Sequence, residues 1–94
     1  MDLISTMRAF VRVHETRSFS AAAKDLNLSQ PSLSKAVAQL EQALGVQLFL
    51  RSTRGLSPTD AGQTFYQHAL RTLDEADLAM QSVNGANAPL AGTL

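Results

Sequence analysis

The 94-residue chain contains no cysteine. That excludes a disulfide framework and a thiolate metal site, and it fits a cytoplasmic protein. No apolar run approaches the roughly 18 residues needed to span a bilayer. The start, MDLISTMRAF, lacks the basic region, apolar stretch and small-residue cleavage site of a secretory signal. Glycine-rich phosphate loops, metal-spaced clusters and paired-carboxylate constellations are missing too. His14 falls on the apolar stripe of a helix, where a core or edge histidine belongs. His68 has no nucleophile or ligand partner near it in sequence, and Asp74, Glu75 and Asp77 read as a solvated face. The expectation is therefore a protein that is not an enzyme and carries no cofactor in this stretch.

Net charge is absent as well: eight basic groups balance eight acidic ones. The balance is uneven along the chain. Residues 1–59 carry seven basic groups against Asp2, Glu15, Asp25 and Glu41, whereas residues 60–94 set Arg71 against Asp60, Asp74, Glu75 and Asp77. A mildly basic front and an acidic back are a weak hint of a polyanionic partner for the front. The composition, 45% hydrophobic and 17% charged, is that of a soluble globular chain. At this length there is room for one domain with one modest core.

What is present is mainly helical patterning. Leu3, Met7, Phe10, Val11 and His14 recur at spacings of three and four, which predicts a helix over about 2–15, with Arg8, Arg12 and Glu15 off the stripe. Ser18 is placed to cap a second helix carrying Phe19, Ala22, Ala23 and Leu26, and Asn27 tolerates the left-handed turn that follows. Its small alanines let another helix approach closely. Ser29 is the expected cap of a third helix, with Gln30 and Pro31 in its first turn and Leu33, Val37, Leu40 and Leu44 as the buried stripe. Gly45 ends it. After that the period shortens: Val46, Leu48 and Leu50 alternate with Gln47, Phe49 and Arg51, and a polar turn at 51–55 precedes Leu56 and Ser57, which predicts a small hairpin. Pro58 closes it, and Thr59 or Asp60 caps a fourth helix to about Val83. In that helix Tyr66, Leu73 and Met80, with Ala69, Ala76 and Val83, form a heptad seam. The tail NGANAPLAGTL is small, proline-broken and linker-like.

Two short helices joined by a tight turn, alanines in the first and a leucine ladder in the second, match a helix-turn-helix. In that motif the front of the second helix meets base edges in the DNA major groove. Short polar side chains there let the backbone approach, and Gln30 can offer adenine a paired donor and acceptor. Lys35 lies one turn further on the outward side. A well-capped helix in a domain that binds nothing would show the same caps. The hairpin favours DNA, because Arg51 and Arg54 flank its turn where a wing lays basic side chains on the backbone or minor groove.

The pieces SFSAAAKDL, SQPSLSKAVAQLEQALGVQLF, R-x-x-R-G and T-x-A-G stand in order. From about residue 3 to residue 80 the chain resembles the N-terminal DNA-binding domain of LysR-type transcriptional regulators. The resemblance implies a mainly α winged helix-turn-helix over 1–58, a linker and dimerisation helix over 59–84, and a hinge over 85–94 leading to a missing effector-binding domain. It implies sequence-specific binding of double-stranded operator DNA, with helix 30–44 in the major groove and the wing at 49–57. Base and groove contacts would fall to Gln30, Pro31, Ser32, Ser34 and Lys35, wing contact to Arg54, and phosphates to Ser18 and Ser20. Ser29, Gln39 and Arg51 complete the expected DNA-binding set. The family commonly has arginine where Lys35 stands, and lysine keeps the charge without the planar fork. The resemblance makes Tyr66, Ala69, Leu73, Ala76, Met80 and Val83 a homodimer interface, with a tetramer open to the full-length protein. It also implies a small-molecule inducer in the other domain and a cytoplasmic, nucleoid-bound location with no membrane partner. The alternative is a helical adaptor that binds another protein through the seam at 66–83, which would leave the serine-glutamine turn and both wing arginines without a role.

Overall fold

Polar caps and left-handed residues set the helix boundaries. The computed structural model describes residues 2–84, and the expected hinge at 85–94 lies outside them. The order is α1 (Leu3–Thr16), α2 (Phe19–Leu26), α3 (Gln30–Leu44), β1 (Phe49–Ser52), β2 (Gly55–Pro58) and α4 (Asp60–Asn84). Side-chain oxygens of Asp2, Ser18, Ser29 and Thr59 accept from the amides of Ser5, Ala21, Ser32 and Gly62 at 2.7, 3.1, 3.2 and 2.9 Å. Each such cap is typically worth about 1 kcal/mol. Arg17, Asn27 and Gly45 close α1, α2 and α3 in the left-handed region at φ 55°, 58° and 73°. Arg17 is the unexpected one. Its Nε donates to the His14 carbonyl at 2.8 Å, satisfying an acceptor left over at the helix end.

Phe10 is fully buried at the centre. Its ring lies 5.1 Å from Phe65 of α4, 5.3 Å from Phe49 of β1 and 6.0 Å from His14. Phe49 in turn meets Phe19 of α2 edge-on at 6.2 Å. Leu33, Val37 and Leu40 bring α3 onto this cluster. His14 is buried and stacked on Tyr66 at 3.8 Å, with Nε2 3.1 Å from Gln63 Oε1, so it joins α1 to α4 as a core residue.

The hairpin is antiparallel, pairing Phe49 with Pro58 and Ser52 with Gly55. Two polar groups moor its base. The Glu41 carboxylate accepts from the amides of Leu48 and Phe49 at 2.7 and 3.3 Å. Thr59 donates from its hydroxyl to the Gln47 carbonyl at 2.6 Å and from its amide to the Leu48 carbonyl at 3.0 Å. Gly62 then lets α4 pass so closely that a Cβ there would overlap the Leu48 carbonyl oxygen.

Three expectations need correction. Phe49, not Leu50, points inward: Phe49 is 5% exposed and Leu50 52%. The Glu41 latch holds the amides of Leu48 and Phe49, whose side chains are buried as neighbours, while the rest of β1 is exposed instead of alternating and Val46 stays half exposed. Leu44 also leaves the stripe, bordering an open apolar groove of ≈ 500 Å³ with Val46, Phe65 and His68, because the end of α3 does not reach α4. The heptad seam divides. Ala69 and Leu73 are buried in the chain's own core and Tyr66 is half-buried against His14, whereas Met80 and Val83 are mostly exposed and Ala76 lies between. The α1 helix claims the first half of the seam, and Arg8 of α1 pairs with Asp77 of α4 at 2.8 Å on the surface. Among the described residues no helix is long and apolar enough to cross a membrane.

Two outcomes follow for stability. Alanine in place of an exposed helix glycine gains about 1 kcal/mol. Gly62→Ala instead loses on the order of 1–3 kcal/mol through the clash with Leu48, measured by urea unfolding. Burial lowers the His14 pKa from the usual 6.5. The unfolded chain therefore binds this proton more readily than the folded one, so stability falls as pH drops through about 6.5 towards the depressed value. Thermal melts of the wild type and His14→Gln between about pH 7.5 and 5.5 read this term, and the variant should show the shallower decline.

Candidate nucleic-acid interface

Leu33, Ala36, Val37 and Leu40 turn one side of α3 into the core. The opposite side therefore carries Gln30, Pro31, Ser32, Lys35, Ala38, Gln39 and Gln42, all exposed, with Ser34 half-buried at its edge. Leu28, Ser32, Lys35, Ala36 and Gln39 line an open groove of ≈ 380 Å³. Gln30 and Lys35 spend no side-chain donor within the described residues. Ser29 is different: its hydroxyl accepts from the Ser32 amide and donates to Ser32 Oγ at 2.8 Å, so both functions serve the cap. Ser32 keeps its own hydroxyl proton to give. Sequence reasoning passed over Ala38 and Gln42. They continue the outward line from Pro31 and Lys35 at the same helical spacing, which was the available signal.

The wing lies beside the start of α2. The Arg51 guanidinium carbon sits 4.5 Å over the centroid of Phe19, the first residue of α2. Ser18 and Ser20 flank that ring in sequence, with hydroxyls 3.1 Å apart; Ser18 caps α2, and Ser20 is exposed. Arg54 projects from the hairpin turn, fully on the surface, where its amide donates to Ser52 Oγ at 3.2 Å. The structure thus brings Arg51 onto Phe19, the residue between Ser18 and Ser20 in sequence, but leaves Arg54 tethered by backbone alone.

Pairing sorts the cations of the basic front. Arg12 holds Asp25 at 2.7 Å and Glu15 at 3.2 Å, and Arg8 holds Asp77. Both lie on α1. Among the described residues, Arg17, Lys24, Lys35, Arg51, Arg54 and Arg71 make no ion pair. Arg17 closes α1 and Arg71 lies on α4, while Lys24, Lys35, Arg51 and Arg54 put uncancelled positive charge on α2, the outer side of α3 and the hairpin. A surface of this kind, with short hydroxyls and amides between cations, matches phosphate oxygens and base edges better than it matches any catalytic chemistry.

The sequence profile of the family described as "Bacterial regulatory helix-turn-helix protein, lysR family" matches residues 4–63. The HTH-type transcriptional regulator BudR of Klebsiella aerogenes is 42% identical over 88 residues, covering 94% of this chain and 62% of that protein. The nitrogen assimilation regulatory protein nac of Escherichia coli K12 is 42% identical over 83 residues, covering 85% of this chain and 27% of its own length. The chain thus spans less than two thirds of the length of these relatives. Among solved structures, the complex of the BenM DNA-binding domain with catB site 1 DNA superposes with a TM-score of 0.86 at 35% identity, covering 94% of this chain and 98% of that one. The CbnR DNA-binding domain in complex with DNA gives 0.84 at 36% identity, covering 93% and 99%. Corynebacterium glutamicum OxyR in its oxidised form gives 0.87 at 42% identity, covering 98% and 28%. Four helices with a two-stranded wing, an α3 that faces outward with unspent polar groups, and a profile match over most of the chain agree: it belongs to the LysR family of bacterial regulatory helix-turn-helix proteins, as a winged helix-turn-helix DNA-binding domain of transcriptional regulators.

Proposed function

We propose that the chain binds double-stranded operator DNA sequence-specifically as a homodimer, with α3 in the major groove and the β1–β2 wing on the backbone or minor groove. The observation that carries this is the sorting of charge: the α1 arginines are neutralised, while Lys35, Arg51 and Arg54 are not. Gln30, Ser32, Ser34 and Gln39 would read bases, Pro31 would pack against the groove, and Ser18 and Ser20 would meet phosphates. Two DNA-binding domains of the same fold, from BenM and CbnR, are solved in complex with DNA, which supports DNA as the partner.

The dimer would form through the distal part of α4. Leu78, Met80 and Val83 are 55%, 65% and 68% exposed there, on a helix that runs about 16 Å past Leu73. Ala76 would sit at the edge of that contact, and Tyr66, Ala69 and Leu73 would support it from inside. The adaptor alternative loses ground for the same reason, because the first half of its seam is occupied by α1. In a longer protein the domain would serve a cytoplasmic transcriptional regulator whose effector domain takes a small-molecule inducer.

Fluorescence anisotropy on promoter-derived and random duplexes tests the DNA reading. If Lys35, Arg51 and Arg54 of both protomers neutralise phosphates, log affinity falls against log salt with a slope of roughly −5, at about 0.9 per phosphate. A folded, dimeric protein that ignores duplex at ~50 mM salt would refute it. Gln30→Ala should reduce discrimination between the two duplexes by about 1–3 kcal/mol per lost base contact, while Arg54→Ala weakens both alike. Unchanged discrimination by Gln30→Ala would remove that residue from readout. For the dimer, Met80→Asp should sediment as a folded monomer; Leu73→Asp would instead disrupt the core.

A further inference from the structure

Arg51 differs from every other arginine of the basic front in how it is held. Arg8 and Arg12 are fixed by carboxylates, and Arg17 by the His14 carbonyl, so each spends N–H donors on its own chain. Arg54 is unrestrained at the tip. Arg51 is restrained by the face of the Phe19 ring and spends no donor among the described residues.

The surroundings explain why it goes there. Arg51, Phe19, Val37, Glu41, Gln47, Phe49 and Leu50 share one cleft of ≈ 360 Å³ between the hairpin and α3. Glu41 is the acid in that cleft, and its carboxylate is already occupied by the amides of Leu48 and Phe49. No ion pair forms between Glu41 and Arg51. The aromatic face therefore takes the cation and leaves its charge uncancelled. Phe19 itself cannot swing away: it is 9% exposed and braced edge-on by Phe49.

We infer that Phe19 is a positioning residue for DNA affinity, a platform that holds the Arg51 guanidinium over the start of α2 with its donors free for a backbone phosphate. This rests on the DNA-binding reading above. An arginine loses considerable rotamer freedom when it clasps a phosphate, and a platform that orders it beforehand removes part of that cost. Phe19 contributes in this way without touching DNA. It also couples the wing to the front of the helix-turn-helix, since the ring belongs to α2 and the cation to β1.

A double-mutant cycle on the 94-residue chain, read by anisotropy across a salt series, tests it. Phe19→Leu keeps apolar bulk and removes the ring face; Arg51→Gln removes the cation. Arg51→Gln should weaken binding and flatten the salt slope by about 0.9 per protomer. Phe19→Leu should weaken binding about two- to fivefold per protomer with the slope unchanged, and should have no further effect in the Arg51→Gln background. Equal losses from Phe19→Leu in both backgrounds, or none in either, would overturn the inference while leaving DNA binding intact. Should Phe19→Leu prove unfolded by circular dichroism, Phe19→Met takes its place in the same cycle. A loss confined to the Arg51 background supports the platform, and equal losses in both backgrounds, or none in either, overturn it. A wild-type chain that binds no duplex would overturn both readings together.

Discussion

Everything in this domain is hung on the ring of Phe10. The chain has four phenylalanines and one tyrosine, and all five belong to one connected cluster around it. Aromatic pairs in offset or edge-on geometry contribute beyond their buried area, and they fix angles as well as distances. Here the pairs run from α1 to β1, from β1 to α2 and from α1 to α4. A domain of this size has room for one modest core, so concentrating its aromatics at one junction orients four elements at once.

The outer parts are held by polar groups that cannot be exchanged for apolar ones. Glu41 gathers two amides at the entry to the hairpin, and Thr59 gathers a carbonyl and an amide at its exit. Leaving the part-buried amides of Leu48, Phe49 and Gly62 without a partner would cost about 1–3 kcal/mol each. Gly62 completes the arrangement by admitting the Leu48 carbonyl where a side chain would stand. The motif pieces ending α3 and opening α4 thus have one mechanical purpose, to fix a short two-stranded ribbon that would be marginal alone.

Function grows from what this framework leaves over. Ion pairs consume the arginines of α1, and Arg17 serves its own helix end. Capping consumes Ser29. Side chains still holding unused donors and charge, Gln30, Lys35, Arg51 and Arg54, lie on the outward side of α3 and on the wing, with Arg51 kept in place by a ring instead of a carboxylate. Exposed ion pairs add little to stability, so the consequence of those on α1 is chiefly to localise the remaining positive field.

The sequence by itself determined the elements. Caps at Ser18, Ser29 and Thr59, left-handed stops at Asn27 and Gly45, and the three-four spacing of Leu33, Val37 and Leu40 are local signals, written within a few residues of what they control. The outward residues of α3 were legible for the same reason. Only the tertiary structure decided which Leu48–Leu50 side chains turn inward, where Glu41, seven residues away, holds the backbone amides of Leu48 and Phe49. Only it split the α4 seam, because Tyr66, Ala69 and Leu73 satisfy a heptad pattern equally well against α1 or against a second helix, and packing chose α1. And only it separated neutralised from available cations: Arg8 meets Asp77, and Arg51 meets Phe19, across distances in sequence that no local pattern can encode.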